Sequence, residues 1–205
     1  MRRCVAIALT VAATMFAQSG PRIVYSKSFP GSSPAFMEIT IDKSGACVYK
    51  EDPKDENPLE FRLSEADTSQ IFAAAEKLDR FSRPLESKVK VANMGMKTYR
   101  YEGDGAATEV KYNYSEDADA KGLQEWFERI AETERERIEI ERTVRFDKLG
   151  VQNAILQIEI SRSQKKLVAE EQFLPFLDRI AKNESFLHMA RERAAALADS
   201  IRGVK

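Results

Sequence analysis

His188, in the segment FLHMARER, is the chain's single histidine and the first candidate for acid–base work. A general base needs a nucleophile or an orienting acid converging on it. Glu184, Arg191 and Glu192 lie one turn away, and a lone histidine between Leu187 and Met189 on a helix reads as a packed or rim residue. Met94-Gly95-Met96 suggests thioether ligation of Cu(I), since residues two apart on a strand point the same way. No third soft ligand stands nearby, so the pair reads as core filling, which methionine does routinely. Cys47 would need a cation or a helix N-terminus beside it to become a reactive thiolate. With Lys43 and Lys50 as its nearby cations it reads as buried or incidental; exposed, it could bridge two copies.

Asp52, Asp55, Glu56, Asp104, Asp117 and Asp119 fall in or beside expected loops, and no two have the spacing of a catalytic pair. The segment EDPKDENP concentrates carboxylates but lacks the glycine and spaced ligands of a calcium-binding hand, so it reads as a solvated turn. The sequence therefore assigns no catalytic, cofactor-binding or metal-ligating residue and implies no cofactor.

The scaffold that would position any such group is organised around residues 117–146. Leu123, Trp126, Phe127 and Ile130 recur at the spacing that lines one face of a helix. Beyond Ile130 the run ETERERIEIERTVR places acids and bases three and four apart, the pattern of an exposed helix face, with only Ile138, Ile140 and Val144 left to bury. The expected helix roofs a sheet made from everything before it and then carries the chain into a helical tail.

The sheet is legible as alternation. Ile23, Tyr25 and Phe29 alternate with polar positions before the turn residues PGSSP. Ala35, Met37, Ile39 and Ile41 share the next strand's core face. Asp42-Lys43-Ser44-Gly45 then turns the chain into ACVYK. If Ile41 faces Ala46, Val48 joins the core and Cys47 lies beside Thr40; a one-residue bulge would swap them. LEFRL is a short strand, followed by a helix capped by Ser64 or Asp67, the latter with Gln70 at the capping-box spacing. Ile71, Ala74, Ala75 and Leu78 form its stripe. Asp104-Gly105 closes a second hairpin that sets Tyr99 opposite Val110 and puts Tyr99, Tyr101, Tyr112 and Tyr114 on one side, the natural partner of Trp126 and Phe127.

In the tail, Val144, Val151, Ile155 and Ile158 would continue the long helix as one rod, but Gly150 inside it costs about 1 kcal/mol, so a break is expected between Phe146 and Gly150. Val151 to about Gln164 is amphipathic. Phe173, Leu174, Leu177 and Ile180 stripe another helix, with Pro175 acceptable in its first turn. Asn183-Glu184-Ser185 makes the corner of a helical hairpin, and Phe186, Met189, Ala190, Arg193, Ala194 and Leu197 run down the last helix toward Gly203.

MRRCVAIALTVAATMFAQSG has a basic start, an apolar run too short to span a bilayer and small or polar residues after it, the layout of a secretory signal peptide, with cleavage expected after Ala17. Cys4 precedes the apolar run, so no lipid anchor is expected. Loss of Arg2 and Arg3 from the 32 basic residues leaves 30 against 33 acidic ones, a net charge of −3 with His188 neutral. Basic runs are interleaved with acids, which argues against nucleic acid as a partner. Cys47 would be the only cysteine left, so no intrachain disulfide can form.

Phe29-Pro30-Gly31-Ser32-Ser33-Pro34-Ala35-Phe36, with the order of hairpin, short strand, helix and second hairpin after it, resembles an uncharacterised domain family of exported bacterial proteins with a C-x-G-x-C-P-x-Y opening. Gly31 and Pro34 match, Phe36 keeps an aromatic where tyrosine is usual, and both cysteine positions differ, being Phe29 and Ser33. The resemblance covers Phe29 to about Ile130 and none of the tail. It implies export and an α+β fold without adding a mechanism.

These readings define an α+β protein: a signal peptide over 1–17, a sheet domain over 22–132 with about five antiparallel strands covered by two helices, and a helical tail over 133–205. The expected role is an exported, periplasmic or secreted, non-catalytic interaction or structural module without a membrane anchor, meeting a protein partner. The alternatives are an enzyme, hydrolytic in its expected chemistry, with an unrecognised site, and a scaffold that self-associates through the tail.

Overall fold

In the computed structural model, which describes residues 20–103 and 105–203, six strands form one antiparallel sheet and five α-helices accompany it. The α+β architecture is the expected one, with six strands where the sequence led to about five. The leader expected over 1–17 lies outside the described residues. Among those described, no helix is long and apolar enough to cross a membrane.

Strands β1 (Arg22–Ser28), β2 (Phe36–Asp42), β3 (Ala46–Lys50) and β4 (Leu59–Arg62) step outward in sequence order, and helix α1 (Glu65–Lys77) returns the chain so that β5 (Met96–Gly103) and β6 (Ala106–Tyr112) add to the other side of β1. Tyr99 pairs with Val110 as its turn requires. The β2–β3 hairpin takes the bulged register. Gly45 N–H donates to the Asp42 carbonyl at 3.0 Å, and Asp42 Oδ1 accepts from the amides of Ser44 (2.8 Å) and Ala46 (3.1 Å). Gly45 sits at φ 82°, where a side chain would be strained and a Cβ would meet the Leu63 carbonyl oxygen at 2.8 Å. Ile41 consequently faces Cys47 and Ile39 faces Tyr49, so Cys47 and Tyr49 turn into the core while Val48 opposes Thr40. Ala35 lies before β2 and is exposed, outside the stripe of Met37, Ile39 and Ile41.

One face of the sheet carries the core. Ser64 caps α1 by accepting from the Asp67 amide at 3.0 Å, so Asp67 is the third residue of the helix rather than its cap. Ile71, Phe72 and Ala75 of α1 are buried, as is Leu78 just beyond it. Helix α2 (Ala118–Phe146) is capped by Asp117, which accepts from the amides of Asp119 and Ala120 and is held by Arg83 at 2.7 Å. Leu123, Phe127 and Ile130 are fully buried, and the Phe127 ring stacks on Tyr25 at 4.6 Å. Trp126 is only half-buried; the Arg129 guanidinium lies over its ring at 4.7 Å.

The second half of α2 belongs to a different core. Ile140 and Val144 pack with α3 (Val151–Ser163), α4 (Leu174–Lys182) and α5 (His188–Arg202) around Ile155, Phe173, Leu177 and Ala194. The break at 147–150 is real: Asp147 leaves helical geometry at φ −140° and its Oδ1 accepts from the Gly150 amide at 2.9 Å. Pro175 falls in the first turn of α4 and Gly203 ends α5 at φ 73°. Met189 is not part of the buried stripe. Helix α5 starts at His188, so Met189 sits in its first turn, 65% exposed, and Ala198 is buried instead.

Candidate functional site

A cleft of about 520 Å³ opens where the end of the sheet, the middle of α2 and the segment joining α3 to α4 come together. Its floor is sheet. Lys27 lies on the core-facing side of β1, two residues beyond Tyr25, and pairs in register with Met37 of β2. Tyr49 of β3 closes that side, its hydroxyl donating to Glu51 at 2.7 Å.

The β1–β2 loop forms one lip. Phe29 N–H donates to the Ala35 carbonyl at 2.8 Å and Ser32 N–H to the Phe29 carbonyl at 3.0 Å. The Ser32 hydroxyl lies 2.7 Å from the Phe29 carbonyl and 2.6 Å from that of Pro34. Phe29 and Pro34, both half-buried, line the cleft.

Helix α2 supplies the wall. Glu125, Glu128, Arg129, Glu132 and Arg135 recur at helical spacing on one side of it and all border the cleft. The opposite lip is Lys165 and Lys166, carried by the α3–α4 segment. That segment is tied down on α2: Arg129 donates to the Leu167 carbonyl at 3.0 Å and the Val168 amide donates to Thr133 Oγ1 at 3.0 Å.

The lining holds five cationic side chains against three anionic ones. Glu132 is paired with Arg135, and Glu128 accepts from Gln124 at 2.6 Å. Lys27, Arg129, Lys165 and Lys166 make no ion pair among the described residues, and Arg129 Nε is buried without a hydrogen-bond partner. A shallower cleft at Glu159, Arg162 and Glu170 differs in this respect, because Arg162 pairs with Glu170 at 2.6 Å and Arg193 with Glu159 at 2.9 Å. The first cleft thus combines an apolar floor with positive charge that the protein itself leaves unmatched.

Comparison of the sequence with protein-family models and with curated proteins finds no match to either.

The residues singled out from sequence lie elsewhere. His188 is an exposed residue at the start of α5, its Nε2 3.2 Å from Glu192, and among the described residues Glu192 is the partner the fold gives it. Met94 and Met96 are 48% and 46% exposed, not core filling: Gly95 between them takes φ 87°, and Met94 lies outside β5. Cys47 is buried at 2% exposure, and loss of hydration pushes its thiol up to about 12, so at neutral pH it stays protonated. Asp52 and Asp55 fold onto the amides of Lys54 and Asn57 in their own loop, Asp117 caps α2, and Asp119 faces Lys77 at 3.7 Å. Asp104 is outside the described residues. Among those described, no group of three or more His, Cys, Asp and Glu is placed to hold a metal ion.

Sequence reasoning missed Lys27, Phe29, Arg129, Arg135, Lys165 and Lys166 as site residues. The one signal that bears on them is the polar stripe of α2 immediately beside its buried stripe, which reads in isolation as a solvated face.

Proposed function

We propose that this chain is an exported, non-catalytic binding module whose binding site is the cleft between the sheet and the helical tail. The observation that carries this reading is the unpaired charge of Lys27, Arg129, Lys165 and Lys166 around an apolar floor. A cleft of about 300–1,000 Å³ with a mostly apolar lining and a few placed polar groups is the usual form of a ligand site.

Its chemistry favours holding over transforming. The Ser32 hydroxyl on the loop lip is engaged with two backbone carbonyls, and Tyr49 donates to Glu51. Burial is the largest influence on Tyr49 and, with Glu51 adding to it, holds its hydroxyl well above the ordinary tyrosine range. His188 and Cys47 contribute nothing to the lining.

The test is a thermal-shift and binding panel of small anions, cations, neutral apolar molecules and short peptides, run on the wild-type chain and on a K165E/K166E variant. Both lysines are exposed, so the variant keeps the fold. Binding by some member of the panel that the variant weakens supports the reading. No binding across the panel, or binding indifferent to the variant, overturns it.

A further inference from the structure

We propose that the cleft takes a small organic carboxylate with an apolar body, seated with its carboxylate toward Lys165 and Lys166 and its body over Phe29, Pro34 and Met37. This names the ligand class of the binding site argued above and rests on that reading.

Three observations lead to it. The first is charge without a partner. Arg129 is fixed from two sides, by the Trp126 ring at 4.7 Å and by the Leu167 carbonyl at 3.0 Å, yet no carboxylate of the described residues pairs with it. Lys165 and Lys166 follow one another on the segment that Arg129 anchors. Cations gathered in this way repel one another, and a bound anion relieves that repulsion while gaining charge-assisted hydrogen bonds.

The second is the floor. Phe29, Pro34 and Met37 present a ring, a pyrrolidine and a thioether to the same space, with Ala131 of α2 bordering it. Such a surface gains by shedding water onto an apolar ligand and offers nothing to a fully hydrated ion such as phosphate.

The third is the direction of charge along α2. Glu125 and Glu128 border the end of the cleft nearer the helix N-terminus, whereas Arg135 is nearer its C-terminal half and already holds Glu132. Lys27 pairs in register with Lys97 of β5, at the β1–β5 side of the cleft. An anion is therefore disfavoured beside Glu125 and Glu128 and favoured beside Lys165 and Lys166, and this difference sets the orientation.

The full chain is titrated with decanoate, below its micelle-forming concentration, while the emission of Trp126, the only tryptophan, is followed. Parallel titrations use 1-decanol, decylamine and a short acidic peptide. The expected result is a saturable change with decanoate, weakened about tenfold or more by K165E/K166E and unchanged by K148E, a charge reversal outside the cleft, with decanol and decylamine binding at least about tenfold more weakly. Decanol or decylamine binding as tightly as decanoate overturns the proposal without any variant. So does indifference to K165E/K166E. Binding of the peptide alone, sensitive to K165E/K166E, overturns the carboxylate assignment and leaves the binding-module reading standing. Failure of every probe here and in the wider panel overturns both.

Discussion

The amide of Val168, on the segment between α3 and α4, donates to Thr133 Oγ1 in the middle of α2 at 3.0 Å, while the Val168 side chain is buried with the core of the sheet. Its neighbour Leu167 is buried with the core of the tail. Two adjacent residues thus serve two cores, and the hydrogen bond fixes where Lys165 and Lys166 stand relative to the sheet. Thr133→Val removes the acceptor and leaves a buried amide without a partner, a loss of about 1–3 kcal/mol in urea unfolding. Thr133→Ser keeps the hydroxyl and is expected to recover most of it.

Phe127 is the deeper of the two aromatic residues by which α2 closes the sheet, stacked on Tyr25 at 4.6 Å and 5.8 Å from the Tyr99 ring centre. Phe127→Ala is expected to cost about 3–5 kcal/mol, measured by denaturant unfolding, because a large ring leaves a cavity that a packed sheet cannot collapse into. Trp126→Ala should cost less, since that ring is only half-buried beneath Arg129.

Glu134 is fully buried where α2 passes the edge strand. Arg137, 3.3 Å from it, also donates to the Gln172 side chain at 3.0 Å and to the Glu60 carbonyl at 3.2 Å. Glu134 Oε1 and Gln172 Nε2 lack a partner of ordinary hydrogen-bond geometry, yet Gln172 still acts on the carboxylate. Burial raises the Glu134 pKa above 4.5, with Gln172 and Arg137 opposing it. The folded chain therefore holds a proton that the unfolded chain has released, and the contribution of this group to stability is fully present below 4.5 and is lost as pH rises through the raised value. Glu134→Gln should flatten the stability–pH curve in that window, leaving the slope of the same sign that Glu136 contributes. An unchanged curve would show that Glu134 ionises as it does in the unfolded chain.

Cys47 should resist a neutral-pH thiol reagent in the native protein and react at once in urea, because its sulfur is buried and its thiol is shifted to about 12. Rapid native labelling would place Cys47 on the open face, in the unbulged register. The same protection means that Cys47 does not link two folded copies.

How much of this could be read from the residues follows from which forces are local. The stripe of Leu123, Phe127 and Ile130, the break before Gly150 and the pairing of Tyr99 with Val110 each depend on periodicity or on a turn a few residues long, and each stands in the structure. The position of Cys47 depends on one carboxylate, Asp42, accepting two amides around Gly45, and alternation cannot separate that bulge from the tighter turn. Met189 keeps the helical spacing but falls in the first turn of α5 and is exposed, while Phe186 and Ala190 on either side of it are buried in the tail core. The cleft was the least legible feature. Lys27 and Lys166 are far apart in sequence, and they meet only because α2 crosses from one core into the other.

That crossing is also the point most open to direct measurement. Equilibrium urea unfolding can be followed by Trp126 emission, which senses the sheet side of α2, and by hydrogen exchange of peptides from Leu174 to Arg202, which senses the tail. If one helix truly joins the cores, the two transitions share a midpoint and a urea dependence. Loss of protection in the tail at clearly lower urea, with Trp126 still native, would mean that the Lys165–Lys166 lip detaches independently and that the cleft has no fixed second wall.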